Sequence, residues 1–194
     1  MMKFRLIVLL LGCFMLKVSA QKKNEKESRI ELSNFPKEAQ VLLQQLPEGT
    51  KRIRFYKETD GDKTSYESKF KYKGHWYSLE FNPNGKLEDI EKKIKPSKIQ
   101  KQQMLAIEDY LKNNFEKYDF IKIQEHYRYN GNMVVKVFMD RVISEKHQFQ
   151  PSYEIIAYLK TDKKWLLKEL TFDPTGTFIK ARQLTVKSYE YILY

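Results

Sequence analysis

Three histidines, His75, His126 and His147, are the side chains in this sequence best suited to move protons or hold a metal near neutral pH. Each needs a partner at defined spacing: a second His or a Glu for a metal, or a serine on a Gly-x-Ser-x-Gly elbow for acyl transfer. None has one in sequence, and the three fall in a turn, a strand and a loop. Asp60-Gly61-Asp62 with Thr64 begins like a calcium loop, but the third acidic ligand, the central glycine and the terminal Glu are not at their places. It reads as a turn. With no phosphate-cradling glycine loop and no nucleotide fingerprint, the sequence predicts no catalytic residues, no metal ligands, no cofactor and no enzyme.

The chemistry that remains is recognition, and two copies of one short phrase say which side chains are free to take part. Phe81-Asn82-Pro83-Asn84-Gly85 and Phe172-Asp173-Pro174-Thr175-Gly176 stand 91 residues apart, each between two strand-like runs. Asn or Asp accepts a local backbone hydrogen bond, Pro fixes φ for a type I turn, and Gly takes the left-handed conformation that closes a bulged hairpin. If Phe81 and Phe172 point to the helix-covered side of a sheet, period-2 counting sends another set to the opposite side. That set is Arg52, Arg54, Tyr56, Lys69, Lys71, Trp76, Arg128, Tyr158 and Trp165. Aromatics and arginines are what binding hot spots favour, so this helix-free face is the candidate surface for an acidic protein partner. The alternative is that these side chains pack between the two halves, or form cross-strand pairs such as Lys69 or Lys71 with Glu80.

The elements that position this face follow from periodicity. Ala39, Leu42, Leu43 and Leu46 recur at helical spacing between Asn34 and Pro47, and Asn34 is placed to cap. Alternating runs then cover Ile53–Tyr56, Tyr66–Lys73, Trp76–Phe81 and Ile90–Ile94. A longer helix, about 97 to 116, opens a second unit of strands ending in a strand-like tail, Val186–Tyr194. Between Asn130 and Pro151 the second unit carries an insertion in which Val134, Val135, Phe138, Met139, Val142 and Ile143 fall at helical spacings. A helix is favoured there over a hairpin at Asn130-Gly131.

Residues 1–20 read as a secretory signal: Lys3 and Arg5, an apolar stretch of about eleven residues, too short for a span of roughly 20, and a Val18-Ser19-Ala20 cleavage site. Lipidation at Cys13 is the alternative, with Leu10-Leu11-Gly12 a poor lipobox. Cleavage after Ala20 leaves no cysteine, and so no disulfide or thiolate chemistry. The formal charge is +11, and an exported protein of this charge meets envelope polymers, lipid head groups or acidic proteins rather than nucleic acid. Residues 21–33, with almost no apolar residue, are expected to form a mobile leader. The sequence leaves the oligomeric state open.

The Phe35-Pro36 helix, the Tyr66-Glu67 strand and the run Tyr77 to Lys86, with Ser152-Tyr153-Glu154 and Leu170 to Gly176 as a second set, resemble the PepSY-like, β-lactamase-inhibitor-like family of secreted bacterial proteins. The resemblance implies an α+β fold of tandem αβββ modules, helices packed on one face of antiparallel sheets, with modules at 34–95 and 96–194 and an insertion at about 130–151. It implies a non-catalytic binding or inhibitory role in the periplasm or outside the cell, toward another extracytoplasmic protein. A basic envelope-associated protein that binds an anionic polymer or lipid surface is the second expectation.

Overall fold

The computed structural model describes residues 22–23, 25–146 and 148–184. The secretory signal, Cys13, His147 and the Val186–Tyr194 tail lie outside the described residues. Strands β1 (Lys22–Lys23) and β2 (Glu25–Ile30) precede helix α1 (Lys37–Leu43) and strands β3 (Lys51–Asp60), β4 (Lys63–Tyr72), β5 (His75–Phe81) and β6 (Leu87–Ile94). Helix α2 (Lys101–Asn114), strand β7 (Lys117–Arg128), helix α3 (Val135–Ser144) and strands β8 (Ser152–Thr161), β9 (Lys164–Phe172) and β10 (Phe178–Leu184) complete the order. The fold is α+β and dominated by strands, with four strands after each of α1 and α2 where the family resemblance implies three.

All strands join one sheet, in the order β1-β10-β9-β8-β7-β6-β5-β4-β3-β2. Every pair is antiparallel except β1 with β10. β1 and β2 stand at opposite ends of that order, yet a single residue separates them in the chain. The segment Lys22–Ile30 therefore runs along both edges, pairing Lys22 with Gln183 on one side and Glu25 with Asp60 on the other. Asp60 on β3 and Arg182 on β10 also meet directly, at 3.6 Å. The sheet thus curls round until its two ends meet through this segment.

This closure corrects the expectation for residues 21–33. Their composition cannot bury a core, but β2 is held by backbone pairing along β3, from Glu25 to Ile30, which needs no apolar side chains.

The apolar core lies outside the ring, between sheet and helices. Over the first strands Ala39, Leu42 and Leu43 of α1 pack on Phe70, Leu79, Phe81 and Ile90; over the later ones Ile107 and Leu111 of α2 pack on Ile123, Ile155, Leu159, Leu170 and Phe172. The insertion forms α3, as its spacing predicts. Although it interrupts the later strands, its Phe138, Met139, Val142 and Ile143 join the first cluster. Tyr77 on β5 donates to the Ile143 carbonyl at 3.3 Å, tying the last turn of α3 to the sheet. α1 is shorter than its pattern suggests; Asn34 sits in a 3₁₀ turn, and Pro36 occupies the cap position.

The two turn phrases are built alike. Asn82 Oδ1 accepts from the N–H groups of Asn84 and Lys86 at 2.9 and 3.1 Å, and Asp173 Oδ1 accepts from those of Thr175 and Thr177 at 2.8 and 2.9 Å. Gly85 and Gly176 have φ of +82° and +86°. Each glycine also lies against a helix: Gly85 against Pro36, Glu38 and Ala39, Gly176 against Gln103 and Ala106. The turns seat the helices as well as reversing the chain.

Candidate functional site

The helix-free face is the inner wall of the ring. Lys69 and Arg128 line a central cavity of about 230 Å³. Tyr56 lies 4.8 Å from the Lys69 ammonium across its ring, and Arg54 stacks 5.9 Å from the centre of Trp76, which pairs with Lys71. Arg52 sits exposed in the bulge that opens β3, with φ of +57°. Tyr158 and Trp165 share the inward parity of Glu154 and Glu169, and stand near the β8–β9 hairpin, 37% and 51% exposed.

An open sheet face carrying these nine residues, as the sequence suggests, is therefore not what the chain forms. A face with alternating parity is legible from sequence; its curvature into a closed wall is not. Tyr56, Lys69, Lys71, Trp76 and Arg54 are withdrawn from the surface to differing degrees, and the exposed aromatic pair is Tyr158 with Trp165. The expected pairing of Lys69 or Lys71 with Glu80 does not form either. Register sets Glu80 opposite Glu67 on β4 and Asp89 on β6, and its cation is Lys63 at 3.4 Å.

Several charged groups at the centre of the wall were invisible to sequence reasoning, because they come from separate strands. Glu27 of β2, Glu58 of β3 and Glu67 of β4 bring carboxylate oxygens within 4.8 Å of one another, a spacing able to hold a cation. The Lys69 ammonium fills that role, 2.9 Å from an oxygen of Glu27 and of Glu67. Burial alone would raise the Glu67 carboxyl, but the Lys69 charge, with hydrogen bonds from Ser78 and Glu58, holds it down at about 2. Burial would likewise lower Lys69, and Glu67, Glu27 and Glu58 together push it well above the usual range. Elsewhere burial prevails over pairing. It pushes Glu80 up to about 7, helped by Asp89 against Lys63, and Glu91 up to about 8, helped by Glu154 against Lys122.

A second constellation looks catalytic. Asp89 Oδ2 lies 3.2 Å from His126 Nε2, and His126 Nδ1 lies 3.0 Å from Ser152 Oγ. Register alone assembles it, since His126 faces Ser152 on β8 and Glu91 on β6. The proton inventory decides its chemistry. Burial would depress the imidazole, but the hydrogen bond and charge of Asp89, with Glu154 and Glu91, raise it to about 9. An imidazolium donates from both nitrogens, to Asp89 and to Ser152, and the Ser152 hydroxyl in turn donates a hydrogen bond to the His126 carbonyl at 3.3 Å. A ring already protonated cannot act as the base that activates a serine. At neutral pH the arrangement is an ion pair with a hydroxyl acceptor.

The sign of the resulting pH dependence is fixed. The folded-state value lies above the ordinary 6.5, so this pair's contribution to stability is complete below about pH 6.5 and is lost as pH rises through about 9. The His126 ring protons should titrate near pH 9 in an NMR titration. Titration at or below the ordinary value would restore the serine-activating reading.

No family model matches the sequence, and no curated protein matches it. Among solved structures the chain is similar to a DUF2874 family protein from Bacteroides ovatus, at 13% identity and TM-score 0.52, over 77% of this chain and 87% of that one. It is similar to a candidate periplasmic protein from Bacteroides eggerthii, at 11% identity and TM-score 0.52, over 77% and 88%. A BLIP-like protein from Bacteroides fragilis aligns at 13% identity and TM-score 0.48, over 77% and 86%. At these identities the likeness is one of fold. Among the described residues no helix is long and apolar enough to cross a membrane.

Proposed function

We propose that the protein is a non-catalytic binding module of the periplasm or cell exterior, similar in design to the β-lactamase-inhibitor-like proteins, with its two halves descended from one repeated unit. The matching turns, each seated on a helix, support the duplication. The fold shared with a candidate periplasmic protein supports the compartment. The observation that carries the binding role is the aromatic pair on the β8–β9 hairpin. Tyr158 faces Leu167 across the strands and Trp165, opposite Lys160, is its diagonal neighbour on the same face, so two exposed aromatics and a cation stand close together there. A large aromatic surface with a cation at its border suits a partner of mixed apolar and acidic character.

Affinity capture from the native envelope tests this, comparing the natural chain with Tyr158→Ala plus Trp165→Ala. The double substitution should remove at least one captured protein, a loss of about 2 kcal/mol or more for a hot-spot pair. If every captured partner survives, the patch is not the interface. Capture that collapses as salt rises, with both aromatics dispensable, would instead favour binding to an anionic polymer or lipid surface through net charge.

A further inference from the structure

Around the cavity nine carboxylates face six lysines and arginines and His126, although the sequence carries a formal charge of +11. The positive excess therefore lies elsewhere. Because neighbouring strands run antiparallel from β3 to β9, the end of the sheet at which β3, β5, β7 and β9 begin is also where β4, β6 and β8 finish. That end is rich in cations. Lys51 and Arg52 open β3, Lys73 sits in the β4–β5 turn, Lys93 is next to last on β6, and Lys163 and Lys164 stand at the tip of the β8–β9 hairpin. All six are exposed, and none forms an ion pair among the described residues. The opposite end instead carries Asp60 and Asp62 at the β3–β4 turn, with Glu80 and Glu88 flanking the β5–β6 turn.

The β8–β9 tip is distinguished in two further ways. The β4–β5 and β8–β9 hairpins each turn on two residues of positive φ, Lys73 (+45°) with Gly74 (+87°) and Asp162 (+47°) with Lys163 (+64°). At the second position the earlier hairpin has a glycine, which takes this conformation freely, whereas the later one holds a lysine there at a conformational cost. The same tip carries the aromatic pair, with Trp165 51% and Tyr158 37% exposed. A cation kept in a strained position beside an exposed indole points to contact with something outside the molecule.

We propose that this end of the sheet docks on an anionic phospholipid surface, with Trp165 and Tyr158 reaching the headgroup layer and the surrounding lysines meeting lipid phosphates. The proposal rests on the reading of the aromatic pair as a contact surface, and names what that surface touches. The cation type favours lipid over protein. Lysine is depleted in protein interfaces, whereas flexible ammonium groups spread over several strand ends suit the diffuse charge of a headgroup layer. Trp and Tyr rings settle at that depth because one side of each is apolar and one edge is polar.

Vesicle flotation tests this with the chain from Gln21 onward, which holds every described residue and lacks the apolar stretch Leu6–Leu16 that would bind lipid by itself. Vesicles of phosphatidylcholine alone should not bind the protein, and those with about 30% phosphatidylglycerol should. Lys163→Glu plus Lys164→Glu should weaken that binding at least about tenfold. Lys86→Glu plus Lys101→Glu makes the same charge change at two exposed lysines beside the opposite end, and should leave binding nearly unchanged. In a Trp76→Phe background Trp165 is the one remaining tryptophan, and its emission should shift to the blue on the anionic vesicles. If circular dichroism shows the double reversal unfolded, Lys163→Gly carries the comparison: it relieves the positive φ, so it should raise the melting temperature while weakening vesicle binding about fivefold. Absence of binding, equal losses from the two double reversals, or an unmoved Trp165 emission would each overturn the proposal. Soluble polyglutamate bound as tightly as the vesicles, with the same dependence on Lys163 and Lys164, would assign this end to an acidic polymer or protein instead. If vesicles fail to bind while capture of an envelope protein still requires Tyr158 and Trp165, the lipid proposal falls and the binding role stands; if neither experiment depends on the aromatics, both fall.

Discussion

Lys69→Met should be among the most damaging single substitutions in the wall of the ring, costing about 3–5 kcal/mol, the usual range for stripping one partner from a buried ionic cluster. The methionine fills similar space, so the loss is electrostatic. Glu27, Glu58 and Glu67 would remain within 4.8 Å of one another without the ammonium that now separates their charges. The pH dependence distinguishes this cause from simple loss of packing. In the natural protein Glu67 is held at about 2 against an ordinary 4.5, so its contribution is present above pH 4.5 and fades as pH falls toward 2. Without Lys69, burial and mutual repulsion raise these carboxyls above their unfolded values, so protonation then favours the fold. Urea unfolding of the variant should show stability rising from about pH 8 to about pH 5, where the raised carboxyls recover their protons. A variant with unchanged stability, or one whose deficit is the same at both pH values, would refute the account.

Gly176→Ala should also be severe, for a different reason. A Cβ there would come within 2.6 Å of the Gln103 carbonyl oxygen and 3.0 Å of Ala106 Cβ, at a φ of +86°. The left-handed conformation costs a non-glycine residue about 1–2 kcal/mol, and forced overpacking adds typically 1–3. A loss of about 3 kcal/mol corresponds to a melting temperature lower by roughly 6–12 °C for a chain of this size. Gly74→Ala is the matched control, because its φ is +87° with nothing within 4 Å of the added methyl. It should cost only the conformational part, about 1–2 kcal/mol. Equal melting temperatures for the two variants would mean that the turn does not hold α2 in place.

Much of this architecture was legible because its causes are local. The turn phrases carry their own hydrogen-bond chemistry in Asn82 and Asp173. The alternation through Tyr77, Leu79 and Phe81 separates a helix-facing side from an inner one, and the spacing of Phe138, Met139, Val142 and Ile143 marks the inserted helix. What escaped depends on register between distant segments. Asp89, His126 and Ser152 meet only because three strands align, and Glu27 reaches Lys69 from a stretch whose composition reads as a tether. Net charge, an average over the chain, hides an acid-rich interior beneath a basic exterior. Curvature also lies outside period-2 counting, which ranks Tyr56 and Trp165 as equals although closure withdraws one and leaves the other at the surface.

The closing strand sets the order in which the molecule can be completed. Most neighbouring strands are joined by hairpins or by one helical excursion, so their contacts arise between residues close in sequence. Lys22 with Gln183 is the opposite extreme, joining nearly the whole described length of the chain. Such a contact adds heavily to contact order, and its loop-closure entropy is met only after the intervening strands are laid down. Glu27 arrives with the same segment. It pairs directly with Glu58 on the neighbouring strand β3, so the ionic centre needs only β2, β3 and β4, whereas the enclosed cavity is complete only once the closing contact has formed.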